Sequence, residues 1–91
     1  MDSIIQKDMS CCYVCGRYGT EKHHIFFGNP NRKLSDKYGL VIGLCQEHHR
    51  GNTGVHQNRE LDLAMKRAGQ RAFNYHYPNE DFLAIFGKNY L

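Results

Sequence analysis

The chain lacks tryptophan, internal repeats and low-complexity tracts, and no apolar run approaches the roughly 20 residues of a membrane span. These absences exclude a membrane-spanning helix and a repeat architecture. Basic residues exceed acidic ones only by 12 to 9, which permits contact with nucleic acid but falls short of a protein that coats DNA. With 91 residues and 41% apolar content, a single small domain can barely offset its conformational entropy. We therefore expect a stabilising cross-link in addition to the hydrophobic core.

The first ten residues are expected to form a loosely held leader. Asp2, Lys7 and Asp8 stand where a secretory signal would be apolar, so the chain is predicted to be cytoplasmic, with no membrane partner. A reducing compartment disfavours disulfides and favours metal binding by closely spaced cysteines, of which the chain has four. Six histidines in so short a chain point the same way.

The region 11–56 is rich in glycine, cysteine and histidine, and its apolar runs are short. The runs Ile25–Phe27 and Leu40–Leu44 predict two short strands. Between them, the residues Gly28–Asn31 have turn chemistry, because glycine and asparagine tolerate positive φ and proline presets its own φ. The expected order is strand, loop, strand.

The region 57–91 is predicted to be a helical extension. Apolar residues recur there at spacings of three and four, the stripe of a long amphipathic helix, with Asn58 as its cap. Pro78 interrupts this helix. The acidic run ending at Asp81 opens a second short helix that continues through Phe86, and Gly87 can terminate it.

Two ligand pairs share the same two-residue gap. They are Cys12-Tyr-Val-Cys15 and Cys45-Gln-Glu-His48. Four such donors suit tetrahedral zinc, and a closed four-ligand shell makes that zinc structural, because no position remains for a substrate. Structural cysteines without a metal are the simpler alternative. Cys11 competes with Cys12 for the site, and only the gap to Cys15 favours Cys12.

Five histidines remain outside that shell, and four of them raise the question of a second metal site: His23, His24, His49 and His56. His23 and His24 adjoin the first apolar run, and neighbours on an extended segment point to opposite faces. One of them can therefore bind a metal while the other stays free to accept a proton near neutral pH. If His23 and His24 were considered by themselves, the simpler alternative would be that neither has a chemical role. The second adjacent pair, His48-His49, makes that alternative weaker.

The pattern His23-His24-Ile25, then an apolar strand, then Cys45-x-x-His48-His49, resembles the HNH endonucleases. These form the His-Me finger, or ββα-metal, class, and the similarity is greatest to small phage-type members with a structural zinc, including nucleases of temperate phages that depend on RecA. The resemblance spans about residues 12–56. It implies an α+β fold with a zinc-stapled ββα-metal core, here followed by the long and the short helix.

The resemblance also implies roles for individual residues. His24 stands where the general base lies, and His23 and His49 stand where a catalytic divalent ion is bound, with His56 matching a third ligand of some members. The middle Asn of the motif is missing, because Tyr38-Gly39 occupies its place. Asn29, Asn31 or backbone groups are left to order the loop that holds the base.

The expected function is metal-dependent hydrolysis of DNA phosphodiester bonds, with 5′-phosphate and 3′-hydroxyl ends and little sequence specificity. Nitrogen-rich ligation suits Zn, Ni, Mn or Co, and ligation with more water suits Mg. Phosphate contacts are expected from Arg32, Lys33, Lys37 and Arg50. A recombinase filament or a phage protein is a further possible partner.

Two alternatives compete with the nuclease hypothesis. A non-catalytic zinc-knuckle module that binds DNA or a protein would explain the four donors of the first site but leaves the remaining histidines without a role. A degenerate nuclease fold that serves as a structural or packaging partner of a phage would explain the missing Asn.

Overall fold

The computed structural model of the protein describes residues 2–91. Within these residues it is a small α+β structure with one two-stranded sheet and four helices. Along the chain the elements are β1 (Glu21–His24), α1 (Asn31–Tyr38), β2 (Val41–Leu44), α2 (Gln46–His49), α3 (Arg59–His76) and α4 (Phe82–Phe86). Within residues 2–91 no helix is both long enough and apolar enough to cross a membrane.

The strands β1 and β2 pair antiparallel, with Glu21 opposite Leu44 and His24 opposite Val41. All four residues of β2 are buried, as its apolar composition predicts. In β1 the side chains alternate between the two faces of the sheet, and His23 is buried whereas His24 is partly exposed. The expectation that these two histidines face opposite ways is confirmed.

The prediction for the first strand and its following loop is wrong in two respects. The strand ends at His24. The Ile25 amide still donates to the Leu40 carbonyl at 3.0 Å, and the side chains of Ile25 and Phe26 fill the core at 1% exposure each. The expected loop contains helix α1, which has no continuous apolar stripe. Its buried Ser35 accepts a hydrogen bond from the Phe26 amide (3.1 Å) and donates one to the Phe26 carbonyl (2.7 Å). A polar tertiary contact of this kind leaves no periodic signal in the sequence.

The segment 2–10 is held against the sheet, contrary to the expected loose leader. The Ser3 hydroxyl donates to the Val41 carbonyl at 2.6 Å, and the Gly43 amide donates to Gln6 Oε1 at 2.8 Å. A Cβ at Gly43 would collide with the Met9 carbonyl, so glycine is required for this close approach. The segment satisfies backbone groups of β2 that would otherwise lie at a sheet edge.

The helical extension forms as predicted. Asn58 caps α3 by accepting the Leu61 amide at 3.1 Å, and Asp81 caps α4 by accepting the Ala84 amide at 3.3 Å. Gly87 ends α4 in the left-handed conformation, with φ of 82°. The two helices pack against each other and against the residues after β1 through an aromatic core formed by Phe26, Phe73, Phe82 and Phe86.

Candidate functional site

The two predicted donor pairs meet in one group, the sulfur cluster, formed by Cys12, Cys15, Cys45 and His48. The ligand atoms all lie within 4.8 Å of one another. Cys15 Sγ is 3.8 Å from Cys45 Sγ, and His48 Nδ1 is 3.3 Å from Cys45 Sγ and 3.7 Å from Cys12 Sγ. Tetrahedral zinc with Zn–S of about 2.3 Å requires edges of about 3.8 Å between sulfurs and about 3.5 Å between sulfur and nitrogen. The cluster could thus hold a metal such as zinc.

The local backbone explains how the sulfur cluster is assembled. Gly16, with φ of 79°, reverses the chain after Cys15, and the Gly16 amide donates to the Cys12 carbonyl at 2.8 Å. The Tyr13 amide donates to the Gly43 carbonyl at 2.8 Å and attaches this turn to β2. Burial acts to raise the pKa of the Cys12 thiol, but backbone hydrogen bonds outweigh it and lower that pKa to about 6. A thiol that ionises easily is a good metal ligand.

The structure also separates the two competing cysteines. Cys12 is 3% exposed and belongs to the sulfur cluster. Cys11 points elsewhere, and its Sγ lies 3.6 Å from Asp8 Oδ2. The cysteines are free thiols, and the separation of 3.8 Å between Cys15 and Cys45 is far beyond a disulfide bond of about 2.05 Å.

A second group, the imidazole cluster, consists of His23, His49 and His56, whose ligand atoms also lie within 4.8 Å of one another. The ring centroids are 4.9–5.4 Å apart. His23 is 2% exposed, and its Nε2 atom is buried with no hydrogen-bond partner among residues 2–91. Burial, together with the neighbouring rings of His49 and His56, lowers the pKa of His23 to about 3, so the ring is neutral. A neutral imidazole with a buried, unpartnered nitrogen is fit to bind a metal ion.

One turn of helix supplies both clusters. Neighbouring residues on a helix point about 100° apart, so α2 presents His48 to the sulfur cluster and His49 to the imidazole cluster. The chain then returns across α2, where the Val55 amide donates to the His48 carbonyl at 2.9 Å. A Cβ at Gly54 would lie 2.7 Å from the Glu47 carbonyl oxygen, so only glycine permits this approach. The return places His56 beside His23.

Glu21 is a residue of the site that the sequence analysis missed. Its Oε1 atom lies 2.8 Å from His49 Nδ1 and accepts a hydrogen bond from Arg50 Nε at 2.9 Å. The hydrogen bond to His49, with that to Arg50, lowers the pKa of Glu21 and keeps it anionic. A carboxylate on Nδ1 leaves Nε2 as the ligand atom. The alternation of a strand places Glu21 on the same face as His23, which is the signal that could have found it.

His24 lies on the other face of β1, against helix α1. Its Nε2 atom is 3.3 Å from Asp36 Oδ1, and Lys22 Nζ is 2.7 Å from the same oxygen. The hydrogen bond with Lys22 lowers the pKa of Asp36, which therefore stays anionic. Of the two asparagines expected to order this region, Asn29 borders the cavity described below, whereas Asn31 donates to the Phe86 carbonyl at 3.4 Å. The acidic contact of His24 comes instead from Asp36.

Both faces of β1 open onto one cavity of about 600 Å³. The imidazole cluster and His24 border it, as do the predicted phosphate contacts Arg32, Lys33 and Arg50. Lys37 does not border this cavity and instead lines another one with Tyr77 and Pro78. Three of the four predicted cations therefore surround the histidines, and the fourth does not.

Comparisons of the chain with protein-family models, with curated proteins and with solved structures find no match. The resemblance to HNH endonucleases thus depends on the sequence motif alone.

Proposed function

We propose that the protein is a metal-dependent endonuclease of the HNH type that hydrolyses phosphodiester bonds of DNA with little sequence specificity. The main support is the buried Nε2 atom of His23, which has no protein partner in residues 2–91 and lies in a group of three imidazoles. A separate histidine, His24, borders the same basic cavity. The order of β1, β2 and α2, with imidazoles on β1 and on α2, supports a ββα-metal core.

The sulfur cluster holds a structural zinc ion in this proposal. Three sulfurs and one nitrogen complete a tetrahedral shell, which leaves no position for water or substrate. The cluster joins the segment around Cys12 to the start of α2, two parts of the chain that share no strand pairing. The metal bound there supplies the stabilising cross-link that a domain of this size needs in addition to its core.

The imidazole cluster holds the catalytic divalent ion. The ring nitrogens of His23, His49 and His56 would be its ligands, and catalytic metal sites typically have three protein ligands and keep a position for water or substrate. An ion held by these three histidines would supply Lewis acidity for a phosphoryl oxygen and for the leaving 3′ oxygen. Zn, Ni, Mn or Mg are the candidates, and Glu21 orients His49 for any of them.

The remaining steps belong to side chains of the protein. His24 takes the proton from the attacking water, and Asp36, close to its Nε2 atom, leaves Nδ1 free for that proton. A general base of this kind contributes roughly 10²- to 10⁴-fold in rate. Arg32, Lys33 and Arg50 neutralise phosphates on either side of the scissile bond. No helix of the described residues presents a set of base-reading side chains to the cavity, which fits weak sequence preference.

The direct test is the nicking of supercoiled plasmid in the presence of Mg, Mn or Ni. We expect cleavage by the native protein, ends with 5′-phosphate and 3′-hydroxyl groups, and a loss of roughly 10²-fold or more for His24→Ala. His76→Ala is a matched control, because His76 lies at the end of α3 and does not border the cavity. Equal nicking by native protein and His24→Ala would overturn the assignment of the general base.

Metal stoichiometry separates this proposal from a non-catalytic zinc module. A nuclease should retain one zinc ion tightly and bind a second, exchangeable ion at the imidazole cluster. Titration of the zinc-loaded protein with Co²⁺, followed by absorption spectroscopy, distinguishes sulfur-rich from nitrogen-rich ligation. A single sulfur-ligated ion and an intact plasmid would favour the binding module.

A further inference from the structure

Phe27 is an exposed aromatic side chain at the edge of the histidine cavity. Its two predecessors, Ile25 and Phe26, are each 1% exposed, whereas Phe27 is 43% exposed. Its ring centroid lies 5.5 Å from that of His56 and 6.1 Å from that of His23. A single exposed phenylalanine is ordinary on a protein surface, but this one borders a polar cavity beside proposed metal ligands.

The ring is held in place by a partly buried cation. Lys66 Nζ lies 4.2 Å from the centroid of the Phe27 ring, within the range of a cation–π interaction. Lys66 is itself fixed by Asp62, one turn earlier on α3, at 2.8 Å. The side chains of Lys66 and Asp62 are only 12% and 16% exposed. The position of the exposed ring is thus set by helix α3 before any ligand arrives.

Three cationic side chains line the same cavity. Arg32 and Lys33 on α1 and Arg50 after α2 border it together with Phe27. A basic cavity with an aromatic side chain at its edge is the combination with which proteins bind single-stranded nucleic acid, the cations on the backbone and the ring against a base. In a nucleotide a single sugar separates the base from its phosphate. The Phe27 ring is similarly close to the imidazole cluster, with its centroid 5.5 Å from that of His56.

We propose that Phe27 is a stacking platform for an unpaired base next to the phosphate bound at the imidazole cluster, so that the substrate is single-stranded or locally unpaired DNA. In a duplex both faces of every base are covered by its neighbours, and only edges and phosphates are accessible. An aromatic face is useful only where the base has left the stack. This inference depends on the proposed nuclease function, because it assigns the substrate of the same cavity.

The absence of tryptophan from the chain permits a direct test. Phe27→Trp creates a single tryptophan at the platform, in a His24→Ala background that keeps the DNA intact. We expect strong quenching of its fluorescence by a saturating single-stranded oligonucleotide and little change with a duplex of the same length. Tyr75→Trp in the same background is the control, since Tyr75 is 82% exposed and does not border the cavity.

Affinity provides a second measurement. Phe27→Leu keeps an apolar side chain but removes the aromatic face, and it should weaken binding of the single strand by about tenfold and binding of the duplex by less than about twofold. Fluorescence anisotropy with labelled DNA measures both. Quenching by the single strand alone, with this selective loss, supports the platform.

Other outcomes overturn the inference and show at which level it fails. Binding of a single strand without quenching, or equal effects on single strand and duplex, would exclude the platform, while plasmid nicking by the native protein would leave the nuclease function standing. If the native protein neither binds DNA in any form nor nicks plasmid, the nuclease function and the platform fail together.

Discussion

The sulfur cluster and the imidazole cluster lie on neighbouring sides of one short helix and differ in almost every other property. The first groups four candidate ligands, whereas the second groups three and borders a basic cavity. Ligands in the first come from two short, local motifs, and those in the second come from β1, α2 and the loop before α3. A closed shell suits stability, and an open one suits chemistry. Because α2 joins them, the first cluster positions the second.

The largest difference between the clusters should appear when a ligand of each is removed. Cys45→Ser removes a buried ligand of the sulfur cluster, and structural zinc in small domains is worth roughly 10–16 kcal/mol of apparent binding free energy. That exceeds the total stability of most small domains, so we expect the variant to be unfolded, as measured by circular dichroism and zinc content. Cys11→Ser should remain folded, since Cys11 lies outside the cluster. A folded Cys45→Ser protein with its full zinc content would contradict the structural role.

His49→Ala should affect function and leave the fold intact. His49 belongs to the imidazole cluster, and its loss removes one of three ligands without touching the sulfur ligands. We expect the variant to keep its zinc and its circular dichroism spectrum, while plasmid nicking falls by roughly 10²-fold or more. Unfolding of His49→Ala would show that the two clusters are not separable.

The imidazole cluster should make the stability of the fold depend on pH, through His23. Folding lowers the pKa of His23 from an ordinary value of 6.5 to about 3, mainly by burial. The unfolded chain therefore binds a proton between these two values that the folded chain does not bind, and stability falls as pH falls from about 6.5 toward about 3. At about 1.4 kcal/mol per pH unit the upper limit of this loss is about 5 kcal/mol. A metal bound to His23 acts in the same direction, because it also requires the neutral ring.

Urea unfolding as a function of pH measures this dependence. His23→Asn should flatten the slope between pH 6.5 and 4, whereas His76→Asn, exposed at the end of α3, should not. An unchanged slope in His23→Asn would mean that another group determines the response to acid.

The smallest effect expected concerns the outer shell of the imidazole cluster. Glu21→Ala removes the carboxylate that contacts His49 Nδ1, and loss of such a partner typically lowers metal affinity by about 10- to 100-fold. Titration calorimetry with the zinc-loaded protein should show this loss for the exchangeable ion only. Glu60→Ala, in the first turn of α3, is the control. Equal weakening in both variants would remove Glu21 from the site.

The parts of the fold that were predicted are those with local causes. Helix α3 follows from an apolar stripe and the cap residue Asn58, and α4 follows from Asp81 and Gly87. Helix α1 was not predicted, because only Leu34 and Tyr38 give it apolar contact with the core, and its buried Ser35 is held by hydrogen bonds. The first strand was predicted at the apolar run. In the structure, the strand ends before this run, and Ile25 and Phe26 are buried in the core. Periodicity cannot distinguish these two uses of a short apolar run.

The sequence alone determined the membership of the sulfur cluster, apart from the choice between Cys11 and Cys12, because two ligand pairs with the same gap define one tetrahedral shell. Only the tertiary structure decided that Cys12 and not Cys11 joins the sulfur cluster, that Glu21 contacts His49, that Asp36 contacts His24, and that Lys37 lies away from the cavity. Ligand spacing is a property of a few consecutive residues. These other contacts join segments far apart in the chain, and they exist only once strand pairing and core packing have brought those segments together.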